Sequence, residues 1–212
     1  MMITEPLYQE YLTLLLDGNR VACSRMVQAL LDQKIDIKTL YTDLFQKSLY
    51  AVGELWEFNK ITVAKEHLVT AITEGLLNLV YPTLFSGKRT HKKAVISCAA
   101  NEFHQIGGKM VADLFEIHGW DTHFLGANMP LDQMLHYIDE VKPDLLGLSL
   151  SVYFNMPSLI KGIEAVKTNF NNLDIVVGGQ AFNWGGIDKA KSYSNTVCIR
   201  SLVELDNMIT VK

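Results

Sequence analysis

The spacing of apolar and polar positions changes character once along the chain. In the N-terminal part apolar side chains recur at helical intervals, through Leu7, Tyr11, Leu14 and Leu15, then through Val21, Met26, Val27, Leu30 and Leu31. Asp17-Gly18-Asn19 separates these two helices. A third helix is predicted from about Leu40 to Trp56, with Leu44, Leu49, Val52 and Leu55 inward. Phe58-Asn59-Lys60 reads as a turn, and Thr62 as the N-cap of a fourth helix that reaches about Val80 and is ended by Pro82. Helices joined by short connections predict an antiparallel four-helix bundle over residues 1–85.

Residues 86–93, SGKRTHKK, are polar and basic and read as a linker. Beyond them the period shortens. AVISCA (94–99), THFLGA (122–127), DLLGLSL (144–150), DIVVGG (174–179) and TVCI (196–199) are short apolar runs. Helical patterns at 107–118, 131–141, 157–169 and 201–210 separate them. This alternation predicts an α/β domain over 94–212, a five-stranded parallel sheet covered on both faces, in the flavodoxin-like order 2-1-3-4-5. Ligands of such sheets bind at the carboxyl ends of the strands beside the switch point, which directs attention to the loops after strands 1, 3 and 4.

Composition narrows the function classes. A chain of 212 residues suits one large domain or two small ones. It is 49% hydrophobic and 20% charged with a net charge of −4, so it lacks the basic footprint of a nucleic-acid binder. Cys23, Cys98 and Cys198 form no CxxC pair, which argues against structural zinc and a disulfide framework and fits a reducing cytoplasm. The start, MMITEPLYQEY, is not a signal peptide, and no apolar stretch is long enough to span a bilayer.

The first strand is followed by NEFHQIGGKM, the third by Ser149-Leu150-Ser151, and the fourth begins its loop with Gly178-Gly179. Each signal is weak alone. Loop histidines have many uses, Ser-x-Ser is ordinary turn chemistry, and Gly-Gly is common after strands. No GxxxxGK[ST] or GxGxxG supports a phosphate loop. All three fall at one edge of the predicted sheet.

Together, Glu102-x-His104-x-x-Gly107, Ser149-x-Ser151 and Gly178-Gly179 resemble the DxHxxG–SxL–GG signature of cobalamin-binding domains. In that family the dimethylbenzimidazole tail leaves cobalt and threads into the sheet edge, and the loop histidine becomes the lower axial ligand. The resemblance thus implies His104 as the cobalt ligand, base-off/His-on, with Glu102 accepting its other ring N–H. Gly107, Ser149, Ser151, Gly178 and Gly179 would leave the slot for the tail. Glu102 stands where aspartate is commoner, and Ser151 where leucine or threonine is commoner.

The resemblance extends into the bundle, the usual cap of such domains. LWEFNKITVAKEH places Trp56 nine residues before Glu66-His67, a Wx9EH pattern similar to that of B12-dependent photoreceptors and light-responsive regulators. There the tryptophan covers the upper axial group, and the glutamate and histidine line its pocket. Taken alone, Trp56 reads as a bundle-core aromatic and Glu66-His67 as a solvated first turn. Cys98 reads as a structural strand cysteine, and His91, His118, His123 and His136 lack ligand spacing. Trp184 reads equally as packing or as a flank of the nucleotide tail.

Three functions are compatible with these motifs. The first is a cytoplasmic regulator that binds adenosylcobalamin and responds to light. The related transcriptional regulators carry a helix-turn-helix ahead of the bundle, whereas this chain starts almost directly with it, so signalling is expected through homo-oligomerisation or a partner protein rather than direct DNA binding. The second is a corrinoid carrier, holding methylcobalamin between partner methyltransferases. Such carriers more typically show DxHDIGK where this chain has ExHQIGG. The third, a mutase module, lacks the catalytic barrel of about 250 residues. No nucleophile–base pair stands out, so catalysis is not assigned to the chain alone.

Overall fold

Short polar side chains start the helices of the N-terminal part. In the computed structural model, which describes residues 2–85 and 88–211, Asn19 accepts the Ala22 N–H at 3.1 Å, Asp36 that of Thr39 at 2.9 Å and Thr62 that of Lys65 at 3.3 Å. Each such cap contributes about 1 kcal/mol. They open α2 (Arg20–Asp32), α3 (Ile37–Thr39) and α5 (Val63–Leu84), and α1 is Glu5–Leu16. The chain divides into two units, Met1–Thr83 and Leu84–Lys212.

The predicted third helix is built differently from its expectation. After α3 comes a π-helical segment, Leu40–Gln46, which runs into α4 (Lys47–Glu57). The Lys47 N–H reaches back to the Thr42 carbonyl, five residues earlier. The buried stripe consequently runs Leu44, Ser48, Val52, while Leu49 and Leu55 are only half-buried. Tyr41 and Phe45, also fully buried, stack at 6.0 Å inside the unit.

Pro82 does not end α5, contrary to expectation. It sits in the last turn, where Val80 and Leu84 are both buried and hold the turn in place. A proline this near the end gives up a backbone bond that packing replaces.

In the second unit five parallel strands lie in the order β2-β1-β3-β4-β5, as the alternation predicts. They are β1 (Lys93–Cys98), β2 (Asp121–Phe124), β3 (Leu145–Ser149), β4 (Asp174–Gly178) and β5 (Thr196–Ile199). Helices α6 (Ile106–Ile117) and α10 (Leu202–Val211) pack together beside β1 and β5. Helices α7 (Leu131–Val141) and α8 (Met156–Asn169) cover the other face over a core that includes Val95, Leu146, Leu148, Ile163 and Val177. A short α9 (Ile187–Lys191) has too little periodicity to be foreseen. The register sets Cys98 opposite Ser149 and Ser149 opposite Gly178, so the loops after β1, β3 and β4 leave the same edge.

Of the expected linker, residues 86–87 lie outside the described residues. Residues 88–92 are docked within the second unit. Thr90 donates its N–H to Gly119 at 2.7 Å, and Arg89 donates to the Trp120 carbonyl at 2.8 Å while pairing with Glu116. Gly119 has φ +81°, and a Cβ there would lie 2.2 Å from the Lys88 carbonyl oxygen. Gly119→Ala is therefore expected to lower stability by about 2 kcal/mol or more, read as a lower urea midpoint. An unchanged midpoint would contradict this docking.

Candidate functional site

The loop after β1 is a turn tied down on several sides. Ala99 donates its N–H to the Ser149 carbonyl at 3.0 Å, and Glu102 closes back on Ala99 at 3.0 Å. Asn101 adopts the left-handed region, φ 67°, which asparagine tolerates. Its N–H donates to Asn128 Oδ1 at 2.9 Å and its carbonyl accepts from Asn155 Nδ2 at 3.0 Å. The Asn128 N–H in turn donates to the Glu102 carbonyl at 2.8 Å.

This scaffold holds Glu102 with no exposed surface. One carboxylate oxygen accepts the His104 ring Nδ1 at 2.6 Å and the His104 backbone N–H at 3.0 Å. The other accepts the backbone N–H groups of Ser151 and Val152, both at 2.9 Å. Burial pushes the carboxyl up, but the bonds from the His104 ring and from the Val152, His104 and Ser151 N–H groups outweigh it. They hold Glu102 at about 2, against an ordinary 4.5. The ion therefore stays charged, its desolvation offset by four donors.

The His104 side chain is 58% exposed. With Nδ1–H given to Glu102, the imidazole is the tautomer whose Nε2 carries a lone pair, the form a metal takes. Among the described residues no group of three or more His, Cys, Asp or Glu side chains comes together to hold a metal ion. The site offers a single nitrogen donor, which suits a metal whose other ligands come from a macrocycle. Cys98 lies beside the loop, its thiol bonded to the His104 carbonyl at 3.6 Å, and burial with the nearby Glu102 charge pushes it up to about 12. It is a packing thiol, as its strand position implied.

Ser149 is 8% exposed, and its hydroxyl makes no hydrogen bond among the described residues. Opposite it, in the first turn of α6, a Cβ added to Gly107 would meet nothing nearer than Ser149 Oγ at 3.9 Å. The two residues thus face across a gap that a larger residue would fill. Gly178 and Gly179 serve differently. A Cβ on Gly179, φ +116°, would stand 2.1 Å from the Leu150 carbonyl oxygen, and one on Gly178 would stand 2.8 Å from that of Ile199. These glycines let the strand ends pass in contact.

The structure thus joins Glu102, His104 and Ser151 by hydrogen bonds, and sets Gly107 against Ser149. Ser151 contributes its backbone, and Val152 an N–H that no side-chain pattern announces. Aromatics on the three loops were also missed as a group: Phe103, Tyr153, Phe154 and Trp184 are all exposed, Trp184 by 74%, which removes its packing alternative. Four aromatic residues just beyond strand ends was the available signal. His118 pairs with Asp206 at 2.8 Å and His123 with Tyr137 at 2.7 Å, as ordinary partly buried histidines do.

In the N-terminal unit Trp56 lies in the last turn of α4 and is 50% exposed, so it is not a core aromatic. Residues 58–62 lead to α5, which carries Glu66 at the end of its first turn and His67 immediately after. Glu66 binds the His67 ring and accepts the Thr70 hydroxyl at 3.0 Å. All three cysteines are free and buried. Among the described residues no helix is long and apolar enough to cross a membrane.

Two family models described as B12 binding domain match the chain, one over residues 7–81 and one over 92–188. The HTH-type transcriptional repressor CarH of Myxococcus xanthus is 28% identical over 109 residues, 51% of this chain and 36% of that protein. Dimethylamine corrinoid protein 2 of Methanosarcina acetivorans is 24% identical over 155 residues, 69% of this chain and 72% of that protein. The solved monomethylamine corrinoid protein of Methanosarcina barkeri shares the fold, with a TM-score of 0.82 at 14% identity over 96% of this chain and 97% of that one.

Because Glu102 is lower when folded than unfolded, its charge stabilises the chain fully above about pH 4.5, and that contribution is lost as pH falls toward about 2. The contribution is on the order of 3 kcal/mol. In urea titrations without corrinoid, Glu102→Gln is expected to be the less stable protein at pH 7, with the difference shrinking between pH 5 and 3. A difference independent of pH would contradict the ionised assignment.

Proposed function

The chain belongs to the B12-binding-domain family, matched at residues 7–81 and 92–188, and from that premise we propose that it is a cobalamin-responsive regulator, sensitive to light. Cobalamin binding follows from the family; the form of the cofactor, its lower ligand and the response are our reading. The observation that carries the ligand assignment is the 2.6 Å bond between Glu102 and His104 Nδ1 beneath a ring more than half exposed. The residues fit such a group. The exposed imidazole of His104 supplies a nitrogen donor, and the Ser149 hydroxyl faces the opening beside Gly107.

When bound, an alkyl-corrinoid supplies a cobalt–carbon bond weak enough for light to break. His104 would hold the lower face, and Glu102 keeps the imidazole in its donor tautomer. The backbone N–H groups of Ser151 and Val152 keep Glu102 ionised, so the ring does not lose its acceptor near neutral pH. Ser149 and Gly107 would admit the nucleotide tail, and Ser151, Gly178 and Gly179 shape the neighbouring strand ends.

Trp56 with Glu66 and His67 favours adenosylcobalamin and a regulatory role. A half-exposed indole ending one helix, with a glutamate–histidine pair opening the next, suits residues that attend to an upper ligand. The output is assigned to homo-oligomerisation or to a partner protein, a ligand-biased two-state switch. A corrinoid carrier of methyl groups, working with partner methyltransferases and methylcobalamin, is the second reading. What favours it is coverage: the dimethylamine corrinoid protein matches over 72% of its length, the repressor over only 36%.

Protein loaded with adenosylcobalamin in the dark is expected to change its absorption spectrum and its elution volume after green light. An unchanged spectrum, together with demethylation of bound methylcobalamin by a methyltransferase, would transfer the assignment to the carrier. Separately, His104→Ala is expected to weaken binding or leave a base-on spectrum. Wild-type affinity and spectrum in that variant would end the role of His104 as ligand.

A further inference from the structure

Helix α8 contains a glycine that its packing does not require. Gly162 is buried in the helix interior, yet a Cβ built on it would meet no atom within 4 Å. Glycine is less favourable than alanine in a helix by about 1 kcal/mol, and close-packed interiors do not normally leave space beside a buried backbone. The space is part of a cavity of about 160 Å³ on the face of the sheet that α7 and α8 cover. That is the face opposite Gly107 and Ser149, since Leu148 lines the cavity while its neighbour Ser149 points to α6.

The lining is mainly apolar, with Met134 and Leu159 among its walls. One side is polar. Asn101 donates its side-chain amide to Ser158 Oγ at 3.3 Å, and Lys161, exposed in α8, has no ion-pair partner among the described residues. An apolar cavity of about 150 Å³ accommodates benzene, so this one suits roughly six or seven heavy atoms. Apolar walls, one polar edge and an uncommitted ammonium group define the ligand chemistry.

We propose that this cavity binds a short-chain monocarboxylate of about four or five carbons, its alkyl chain against Met134 and Leu159 and its carboxylate at Ser158 and Lys161. Residues 99–101 form part of the wall, so an occupant rests against the segment that leads into Glu102. The site is separate from the cofactor assignment and does not rest on it.

The test uses the full chain without corrinoid, titrated with sodium butyrate and, in parallel, with n-butanol, and followed by amide NMR shifts. Saturable butyrate shifts are expected at Asn101, Ser158 and Gly162. Gly162→Leu, which fills the cavity, should abolish them and raise the Tm. Lys161→Ala should weaken butyrate by about five-fold, the upper range for an exposed charge pair, and leave n-butanol unaffected. Shifts that never saturate, or saturable binding that survives in Gly162→Leu, would overturn the site. If Gly162→Leu lowers the Tm, the exposed Lys161→Ala position decides: equal butyrate affinity to wild type overturns the carboxylate assignment.

Discussion

The second unit's candidate site depends on one buried anion. Glu102 has no solvent contact, and its charge is tolerated because four N–H groups converge on it. Two of those donors belong to the loop after β3, so the carboxylate ties the ends of two neighbouring strands together. A charge left alone in such a place would carry a penalty of several kcal/mol. Backbone donors remove that penalty without adding a second charge, leaving the net negative character directed at the imidazole. The ring of His104 is thus oriented by the same bonds that close the loops.

Around this anion the two faces of the sheet diverge. Beside α6 the surface is built from small residues, and the Ser149 hydroxyl faces Gly107. Beneath α7 and α8 the face is apolar, with Leu148, Leu159 and Ile163 in one cluster. The Gly178-Gly179 pair belongs to neither function alone. It permits the Leu150 N–H to reach the Gly178 carbonyl at 2.9 Å and the Ala181 N–H to reach the Leu150 carbonyl at 3.2 Å. The mutual position of the second and third loops, and with it the placement of Ser151 and Val152, follows from that close passage.

The legible parts were those with a side-chain signature. Apolar runs separated by helical patterns announced a parallel sheet and its order, because each run must be buried on both faces. Glu102 and His104 were legible as a pair because, with Gly107, they resemble the loop motif of cobalamin-binding domains. The Ser151 and Val152 donors were not, since any residue but proline supplies a backbone N–H. Asn101, Asn128 and Asn155 are distant in sequence, and only the fold brings them to one turn. Pro82 misled because local propensity predicts a stop, while burial of Val80 and Leu84 carries the helix onward.

The π-helical segment Leu40–Gln46 gives the N-terminal unit an angular phase. Its wider bonding ring absorbs a surplus residue, and every position of α4 takes its phase from that absorption. If residues 40–46 took ordinary α-helical bonding with no residue lost, the following helix would turn by about 100°. Trp56 would then head in another direction although the letters from Trp56 to His67 stayed intact. Spelling and bearing are therefore separable in this motif: a relative could keep every residue of the pattern and still aim its indole elsewhere.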